Sequence, residues 1–279
     1  MKAVVFGATL SAKALYEEIQ KKYTIIAYCD NDKSKWGGVI NNIVIIEPDK
    51  LLELQWDEVI IISLSAMESI RKQLLDLGIS EYKINTTYID YKIKARKLFV
   101  KDFASVIYSR GVLGCVAEAG VFQGEFASTI NKYFPDRKLY LFDTFEGFDK
   151  RDIIFEKERQ LSDAEAGNLH ITSETLVLHK MEYPEKCIIR KGYFPESAHG
   201  IHEEFCYVNL DMDLYKPTLE GLRFFYPLMT TGGIITIHDY FSKGYEGVNV
   251  ALLEFLDEVG ENMVPFPIGD HVSVAIQKR

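Results

Sequence analysis

Two short segments in the second half of the chain carry acids that could take part in catalysis. The segments are Asp211-Met-Asp213 and His238-Asp239, and each follows an apolar run. Asp211 and Asp213 alternate along an extended chain, so both side chains point to one side and repel each other unless a cation or a proton intervenes. Asp239, at a neighbouring strand end, completes a set of oxygen ligands for a divalent metal ion. A solvent-exposed loop acid explains any one of these residues, but not the set.

A glycine-bearing turn upstream of these acids could bind a nucleoside. Glu118 ends an apolar run and is followed by Gly120, Gly124 and a helical pattern. Such a strand-to-helix turn lets a ligand approach the backbone and offers it a helix N-terminus, although a purely structural turn has the same pattern. The next apolar run ends in Asp143, about 25 residues after Glu118, where an acid can bind both hydroxyl groups of a ribose. Together the glycines and the spaced acid favour an adenosine-type ligand.

The acidic residue Glu118 helps to distinguish between two classes of ligand, a dinucleotide and S-adenosylmethionine. Dinucleotide sites usually carry GxGxxG, in which backbone amides hold a pyrophosphate, whereas the glycines of this turn are farther apart. A carboxylate would repel a pyrophosphate but would attract a cationic sulfonium ligand that also carries an ammonium group. The turn therefore favours S-adenosylmethionine over NAD.

The elements that must position these residues alternate between strand and helix, which predicts an α/β fold with parallel sheets covered on both faces. We expect a small Rossmann-like domain over residues 1–92 and a larger domain over 93–279, because residues 85–100 are basic and lack a strand pattern. A helix over residues 99–108 leads into the larger domain. In the small domain the predicted strands are 3–6, 25–28, 42–46 and 58–63, and the longer predicted helices are 11–22 and 67–77. In the larger domain the predicted strands are 116–118, 139–142, 187–189, 206–210, 234–237 and 272–276.

Composition excludes several classes of partner. The 279-residue chain has a formal net charge of -9, which argues against nucleic acid or an anionic membrane. The apolar N-terminal stretch is too short for a signal sequence or a membrane span. The cysteines lack zinc-site spacing and are expected to be buried free thiols of a cytoplasmic protein. They are Cys29, Cys115, Cys187 and Cys206.

Four segments of the larger domain carry a family resemblance. EAGVFQGEFAS, YLFDTFEGF, NLDMDLYKPTLEGLRFFYPLM and GGIITIHDY together resemble the macrocin-type O-methyltransferases, over roughly residues 103–275. The resemblance implies a class I methyltransferase fold with a mixed seven-stranded sheet. It also implies S-adenosylmethionine as cofactor, usually with Mg²⁺, and a sugar hydroxyl of an antibiotic or related compound as acceptor.

The same resemblance implies roles for the residues of the cofactor turn. Glu118, Gly120 and Gly124 would line the methionine side of S-adenosylmethionine. Asp143 would hold the ribose hydroxyls. Gly192, in the loop after a later strand, would lie where this fold often meets the adenine.

The acidic segments also receive roles from the resemblance. Asp211 would bind the metal beside the cofactor, and Asp213 would be the general base that takes the proton from the acceptor hydroxyl. His238 and Asp239 match a pair of metal ligands, but the first of that pair is usually acidic. Imidazole suits softer metals than Mg²⁺, so Mn²⁺ is an alternative to Mg²⁺. His238 could instead act as a base or as a structural strand-end histidine.

The small domain has a resemblance of its own. VVFGATLSAKALYEEI and AYCDNDKSKWGGVI resemble the nucleotide-binding amino-terminal domain of sugar-modifying acetyltransferases. The later glycines of that family are replaced by Thr9 and Ala12, whereas Asp30 retains the ribose position. With Gly7 alone, a structural or dimerising role is as plausible as ligand binding. We therefore expect a homo-oligomer.

The leading prediction is an S-adenosylmethionine-dependent O-methyltransferase for a small molecule, a sugar or nucleotide sugar, in glycan or natural-product biosynthesis. One alternative is an NAD-dependent sugar-nucleotide reductase or epimerase, which requires an intact GxGxxG turn that the chain lacks. The other is a non-catalytic cofactor-binding scaffold, which the departure at His238 supports.

Overall fold

A computed structural model describes residues 1–63, 66–260 and 263–279, apart from the side chains of residues 10 and 11. The chain divides into two compact units, Met1–Lys94 and Ala95–Arg279. Each unit contains its own β-sheet with buried apolar residues on both faces. The two sheets establish the α/β class that the sequence predicts.

The first unit contains a six-stranded sheet in the order β3-β4-β2-β1-β5-β6. Strand β1 pairs in parallel with both β2 and β5, and only β3 runs antiparallel to its neighbour. Alternate residues of β1 enter opposite cores, because side chains of a strand point to opposite faces: Val5 packs in one core and Val4 in the other. The strands are β1 Lys2–Phe6, β2 Thr24–Cys29, β3 Val39–Ile40, β4 Ile43–Ile46, β5 Glu58–Ile61 and β6 Ile84–Asn85.

One predicted helix of the first unit is divided in two in the structure. The predicted helix over 11–22 is two short helices, α1 Leu10–Ala14 and α2 Tyr16–Gln20. The irregularity is small, because Leu15 between them keeps right-handed helical angles, φ −89° and ψ −1°. Helix α3 covers Met67–Asp76 and ends before Gly78, whose positive φ of 82° suits a helix C-terminus.

Helix α4 is much longer than predicted. It covers Thr87–Ser109, whereas the sequence pattern predicted a start at residue 99. The prediction was wrong because lysine and arginine interrupt the apolar run of the first turns. The apolar residues nevertheless keep the three- and four-residue spacing of a helix face.

The second unit contains a mixed seven-stranded sheet in the order β12-β13-β11-β10-β7-β8-β9. Strands β7 to β11 run parallel to one another, and β13 is antiparallel to both β11 and β12. The strands are β7 Cys115–Ala119, β8 Leu139–Asp143, β9 Cys187–Lys191, β10 Phe205–Leu210, β11 Met229–Ile237, β12 Phe266–Pro267 and β13 Val274–Gln277. The helices are α5 Glu125–Tyr133, α6 Lys150–Arg159, α7 Glu174–His179, α8 Tyr215–Leu228 and α9 Glu246–Val259.

The strand register of this sheet collects four chain segments at one edge. Ala119 pairs with Phe142 on one side and with Leu210 on the other, and Leu210 pairs with Ile237. The residues that follow these strand ends therefore share the carboxyl edge of the sheet. The order also reverses between β7 and β10, and ligands of open α/β sheets bind at such a switch point.

Candidate active site at the carboxyl edge of the larger sheet

The turn after β7 packs closely against the residues that follow β10. Gly120 has a φ of +85°, and a Cβ added to it would lie 1.9 Å from the carbonyl oxygen of Asp211. The backbone N–H of Asp211 donates to the carbonyl oxygen of Ala119 at 2.8 Å. Gly124, also in the left-handed region at φ +84°, precedes α5. Close packing between two backbone segments therefore requires glycine at position 120, whether or not a ligand also approaches it.

Asp143 ties the end of β8 to the glycine turn. Its Oδ2 accepts hydrogen bonds from the backbone N–H groups of Val121 and Phe122 at 2.9 and 2.8 Å, and its Oδ1 accepts one from Phe145 at 2.7 Å. Burial raises the pKa of this carboxyl, and the three backbone hydrogen bonds oppose that rise. Oδ1 accepts this single backbone bond, and a carboxylate oxygen has two lone pairs. Gly192 lies beside this strand end, because its N–H donates to the carbonyl oxygen of Asp143 at 2.9 Å.

Glu118 presents an unpaired buried oxygen at the same edge. The residue is 1% exposed, and its Oε1 accepts a hydrogen bond from Asn209 Nδ2 at 2.9 Å. Within the described residues, Oε2 is buried without a hydrogen-bond partner. Burial, followed by the negative charge of Asp211, raises the pKa of Glu118 well above its usual value. A buried carboxylate oxygen without a partner is costly, so the position suits the cationic group of a ligand.

Arg96 is a site residue that the sequence interpretation missed. Its Nη2 lies 2.8 Å from Asp211 Oδ2 and 3.2 Å from Asn209 Oδ1, and its guanidinium lies 3.9 Å from the ring centroid of Phe126. The sequence does contain an indication of its role, because Arg96 is a charged residue on an otherwise apolar face of α4. The buried residues of that face after it are Val100, Ala104 and Ile107.

Three of the predicted metal ligands lie close together in the structure. One ligand atom each of Asp211, His238 and Asp239 lies within 4.8 Å of the others. Asp213 and Asp239 both have left-handed backbone angles, φ +61° and +58°, which aspartate tolerates better than most residues. Two carboxylates and an imidazole, with Arg96 as the adjacent fixed cation, form a donor set whose charge suits a divalent metal ion.

Asp213 and Asp239 are hydrogen-bonded neighbours whose pKa values are shifted in opposite directions. Burial, and then the charges of Asp239 and Asp211, raise the pKa of Asp213 well above its usual value. Burial also opposes ionisation of Asp239, but His238 and hydrogen bonds from Asp213 and Ser242 outweigh it and lower the pKa of Asp239. The opposite shifts agree with the rule that ionisation of one carboxyl disfavours ionisation of an adjacent one unless a cation is near.

In the first unit, the carboxylate of Asp30 is engaged by hydrogen bonds and an ion pair with nearby residues. Oδ2 accepts from the backbone N–H of Ala8 at 2.8 Å and pairs with Lys35 Nζ at 3.0 Å, and Oδ1 accepts from the N–H of Asp32 at 2.9 Å. Two of these contacts lie in the segment after β2, and the contact from Ala8 joins it to the turn that follows Gly7. They favour a structural role for Asp30.

Comparisons with known proteins agree with this architecture. The chain resembles the structure of the O-methyltransferase NovP at 19% identity, covering 66% of this chain and 79% of NovP, with a TM-score of 0.54. It resembles the calicheamicin methyltransferase CalS11 at 18% identity, covering 77% of this chain and 86% of CalS11, with a TM-score of 0.52. The fold is therefore that of a class I S-adenosylmethionine-dependent methyltransferase, which confirms the predicted fold class.

The family is established by the sequence of the larger part of the chain. Residues 86–271 match the family Macrocin-O-methyltransferase (TylF), and the chain belongs to it. Residues 1–85 match a separate family, C2185-like, N-terminal. No curated protein sequence matches the chain. The predicted enzyme class, an S-adenosylmethionine-dependent O-methyltransferase, is thereby confirmed. No helix in the described part of the chain has the length and apolar character needed to cross a membrane.

Proposed function

We propose that this enzyme transfers the methyl group of S-adenosylmethionine to a hydroxyl group of a sugar or nucleotide sugar in glycan or natural-product biosynthesis. The observation that carries the proposal is the unpaired buried oxygen of Glu118 at the sheet edge where the charge of Asp211 acts on both Glu118 and Asp213. A site for a cationic cofactor thus adjoins a site that can accept a proton. The family described as Macrocin-O-methyltransferase supports a hydroxyl acceptor.

The cofactor would lie across the ends of β7, β8 and β9. Glu118 Oε2 would accept a hydrogen bond from the ammonium group, and the backbone of the turn that contains Gly120 and Gly124 would line the methionine chain. Asp143 Oδ1 would accept from a ribose hydroxyl, and Gly192 would lie against the adenine. Bound S-adenosylmethionine supplies a methyl group that its sulfonium already activates for transfer.

The protein must then orient the acceptor oxygen and remove its proton. Asp213 is the proposed base, and its hydrogen bond to Asp239 holds the carboxyl group in place. As a carboxylate, Asp213 would take the hydroxyl proton while the oxygen attacks. Asp211, His238 and Asp239 would hold Mg²⁺ or Mn²⁺, whose positive charge would favour the carboxylate form of Asp213 and an acidic acceptor hydroxyl.

The remaining assignments are also proposals. We propose a cytoplasmic location, because the four cysteines are free thiols. The partner is a small molecule, and neither nucleic acid nor a membrane is expected at a net charge of -9. The first unit is proposed to support a homo-oligomer rather than to bind a nucleotide, since the Asp30 carboxylate is already engaged by Ala8 and Lys35.

Calorimetry with S-adenosylhomocysteine tests the cofactor site. We expect micromolar or tighter binding, and Glu118→Gln should weaken it about 10- to 100-fold, because one charge-assisted hydrogen bond contributes about 1.5–3 kcal/mol. Glu146→Gln, at an exposed position of the same unit, is the matched control and should bind normally. Absence of heat with the folded wild-type protein would refute the proposal.

A screen of nucleotide sugars for the gain of one methyl mass tests the acceptor. Asp213→Asn should abolish the gain while cofactor binding persists, because the amide cannot take the proton. Normal turnover by this variant would remove Asp213 from the mechanism.

A further inference from the structure

The register of the sheet fixes a partner for His238. Strand β11 pairs antiparallel with β13, and Ile237 lies opposite Val274. The next pair of positions along this ladder is His238 and Ser273. Their side chains meet, with His238 Nδ1 lying 2.8 Å from Ser273 Oγ.

Ser273 is in turn held by Asp270. Ser273 Oγ donates to Asp270 Oδ2 at 2.6 Å, and Asp270 Oδ1 accepts from the backbone N–H groups of Val272 and Ser273 at 3.0 and 2.8 Å. Asp270 is 0% and Ser273 1% exposed. The three hydrogen bonds that Asp270 accepts therefore come from Val272 and Ser273, so Asp270 holds the loop that positions the Ser273 hydroxyl.

This chain of hydrogen bonds assigns the tautomer of His238. The hydroxyl proton of Ser273 is used toward Asp270, so Ser273 Oγ accepts and His238 Nδ1 donates. Nε2 then faces the acids. It lies 3.8 Å from Asp239 Oδ1, beyond hydrogen-bonding distance, and the side chain is only 10% exposed. A histidine whose Nδ1–H is held by a hydroxyl–carboxylate pair has the usual arrangement of a metal-binding imidazole.

We propose that His238 is a metal ligand through Nε2, that Ser273 and Asp270 are its positioning residues, and that they make the site select a transition metal ion such as Mn²⁺ over Mg²⁺. This inference rests on the metal site included in the proposed function. Asp211 and Asp239 would supply oxygen ligands within 4.8 Å of the imidazole nitrogen. One nitrogen among oxygen ligands favours Mn²⁺ and later divalent metals over Mg²⁺, which prefers oxygen alone.

The test is pulsed electron paramagnetic resonance of Mn²⁺ added to the full-length protein. Wild type should show nitrogen coupling that changes when histidine is labelled with ¹⁵N, and competition should show at least 10-fold tighter binding of Mn²⁺ than of Mg²⁺. Ser273→Ala should weaken Mn²⁺ about 10- to 100-fold, as loss of an outer hydrogen bond to a metal ligand does. His238→Glu should keep bound metal, lose the coupling and reverse the preference toward Mg²⁺. His202→Gln, at an exposed histidine, is the control and should behave as wild type.

The outcomes separate this inference from methyl transfer. Bound Mn²⁺ without nitrogen coupling, equal affinity for Mg²⁺, or no bound metal in a wild-type protein that still binds S-adenosylhomocysteine would each overturn it. Nitrogen-coupled Mn²⁺ in a protein that fails to bind S-adenosylhomocysteine would instead support the metal ligand and overturn the proposed function. If Ser273→Ala does not fold, the wild-type spectrum and His238→Glu still decide the question.

Discussion

Replacing Gly120 by alanine should disrupt the site and its fold together. The new Cβ would lie 1.9 Å from the carbonyl oxygen and 2.5 Å from the carbonyl carbon of Asp211, so two backbone segments would have to separate. The left-handed φ of +85° alone costs a non-glycine residue about 1–2 kcal/mol. Overpacking adds about 1–3 kcal/mol, so we expect a loss of about 2–5 kcal/mol in the free energy of unfolding.

Gly232→Ala is a closely matched control. Gly232 has the same φ of +85°, but an added Cβ would meet nothing within 4 Å among the described residues, so it bears the backbone cost alone. At about 2–4 °C per kcal/mol, thermal unfolding should show Tm falling by about 4–20 °C for Gly120→Ala and about 2–8 °C for Gly232→Ala. Calorimetry should show that only Gly120→Ala loses S-adenosylhomocysteine. Equal Tm and equal affinity in the two variants would refute the packing argument.

Two further predictions concern protons. Because the pKa of Glu118 is raised, chiefly by burial, an ammonium group at Oε2 should drive a proton off it. Metal-free calorimetry in buffers of different ionisation enthalpy should therefore show proton release on S-adenosylhomocysteine binding, absent in Glu118→Gln. Glu203 accepts from the Tyr140 hydroxyl at 2.5 Å, which lowers the pKa of Glu203 to about 2 from 4.5. Its stabilising contribution is complete above pH 4.5 and is lost as pH falls toward 2. Glu203→Gln should cost about 1 kcal/mol at pH 7, given partial exposure, and unfolding curves should converge with wild type in acid.

The strands of the larger sheet were predictable because each is an apolar run bounded by polar residues. The strand predicted over 139–142 and the helical pattern after Gly124 correspond closely to β8 and α5. Strand β12 was not predicted, because Phe266–Pro267 is two residues long and exposed, which leaves no apolar pattern to detect. Helix α4 was predicted too short for the opposite reason, since its basic residues obscure a regular apolar face.

The site residues that could be predicted are those with acidic or imidazole side chains directly after an apolar strand. Asp211, His238 and Asp239 each follow an apolar strand, so their convergence follows from parallel strands sharing an edge. The hydrogen bond from His238 to Ser273 depends on antiparallel register across 35 positions of sequence, which no local pattern specifies. The sequence placed a strand near Ser273 but could not give the pairing.

Arg96 shows why tertiary pairing was needed to understand the charge of the site. It contacts Asp211 across 115 positions of sequence, and it is the fixed cation that contacts an acid of this edge in the described part of the chain. Burial is the main cause of the raised pKa values of Glu118 and Asp213, and neighbouring acids that the single guanidinium does not balance raise them further. A positive ligand would favour the ionised form of each of these two acids. The cofactor ammonium beside Glu118 and a divalent metal beside Asp213 would therefore each complete a charge balance that the folded chain leaves open.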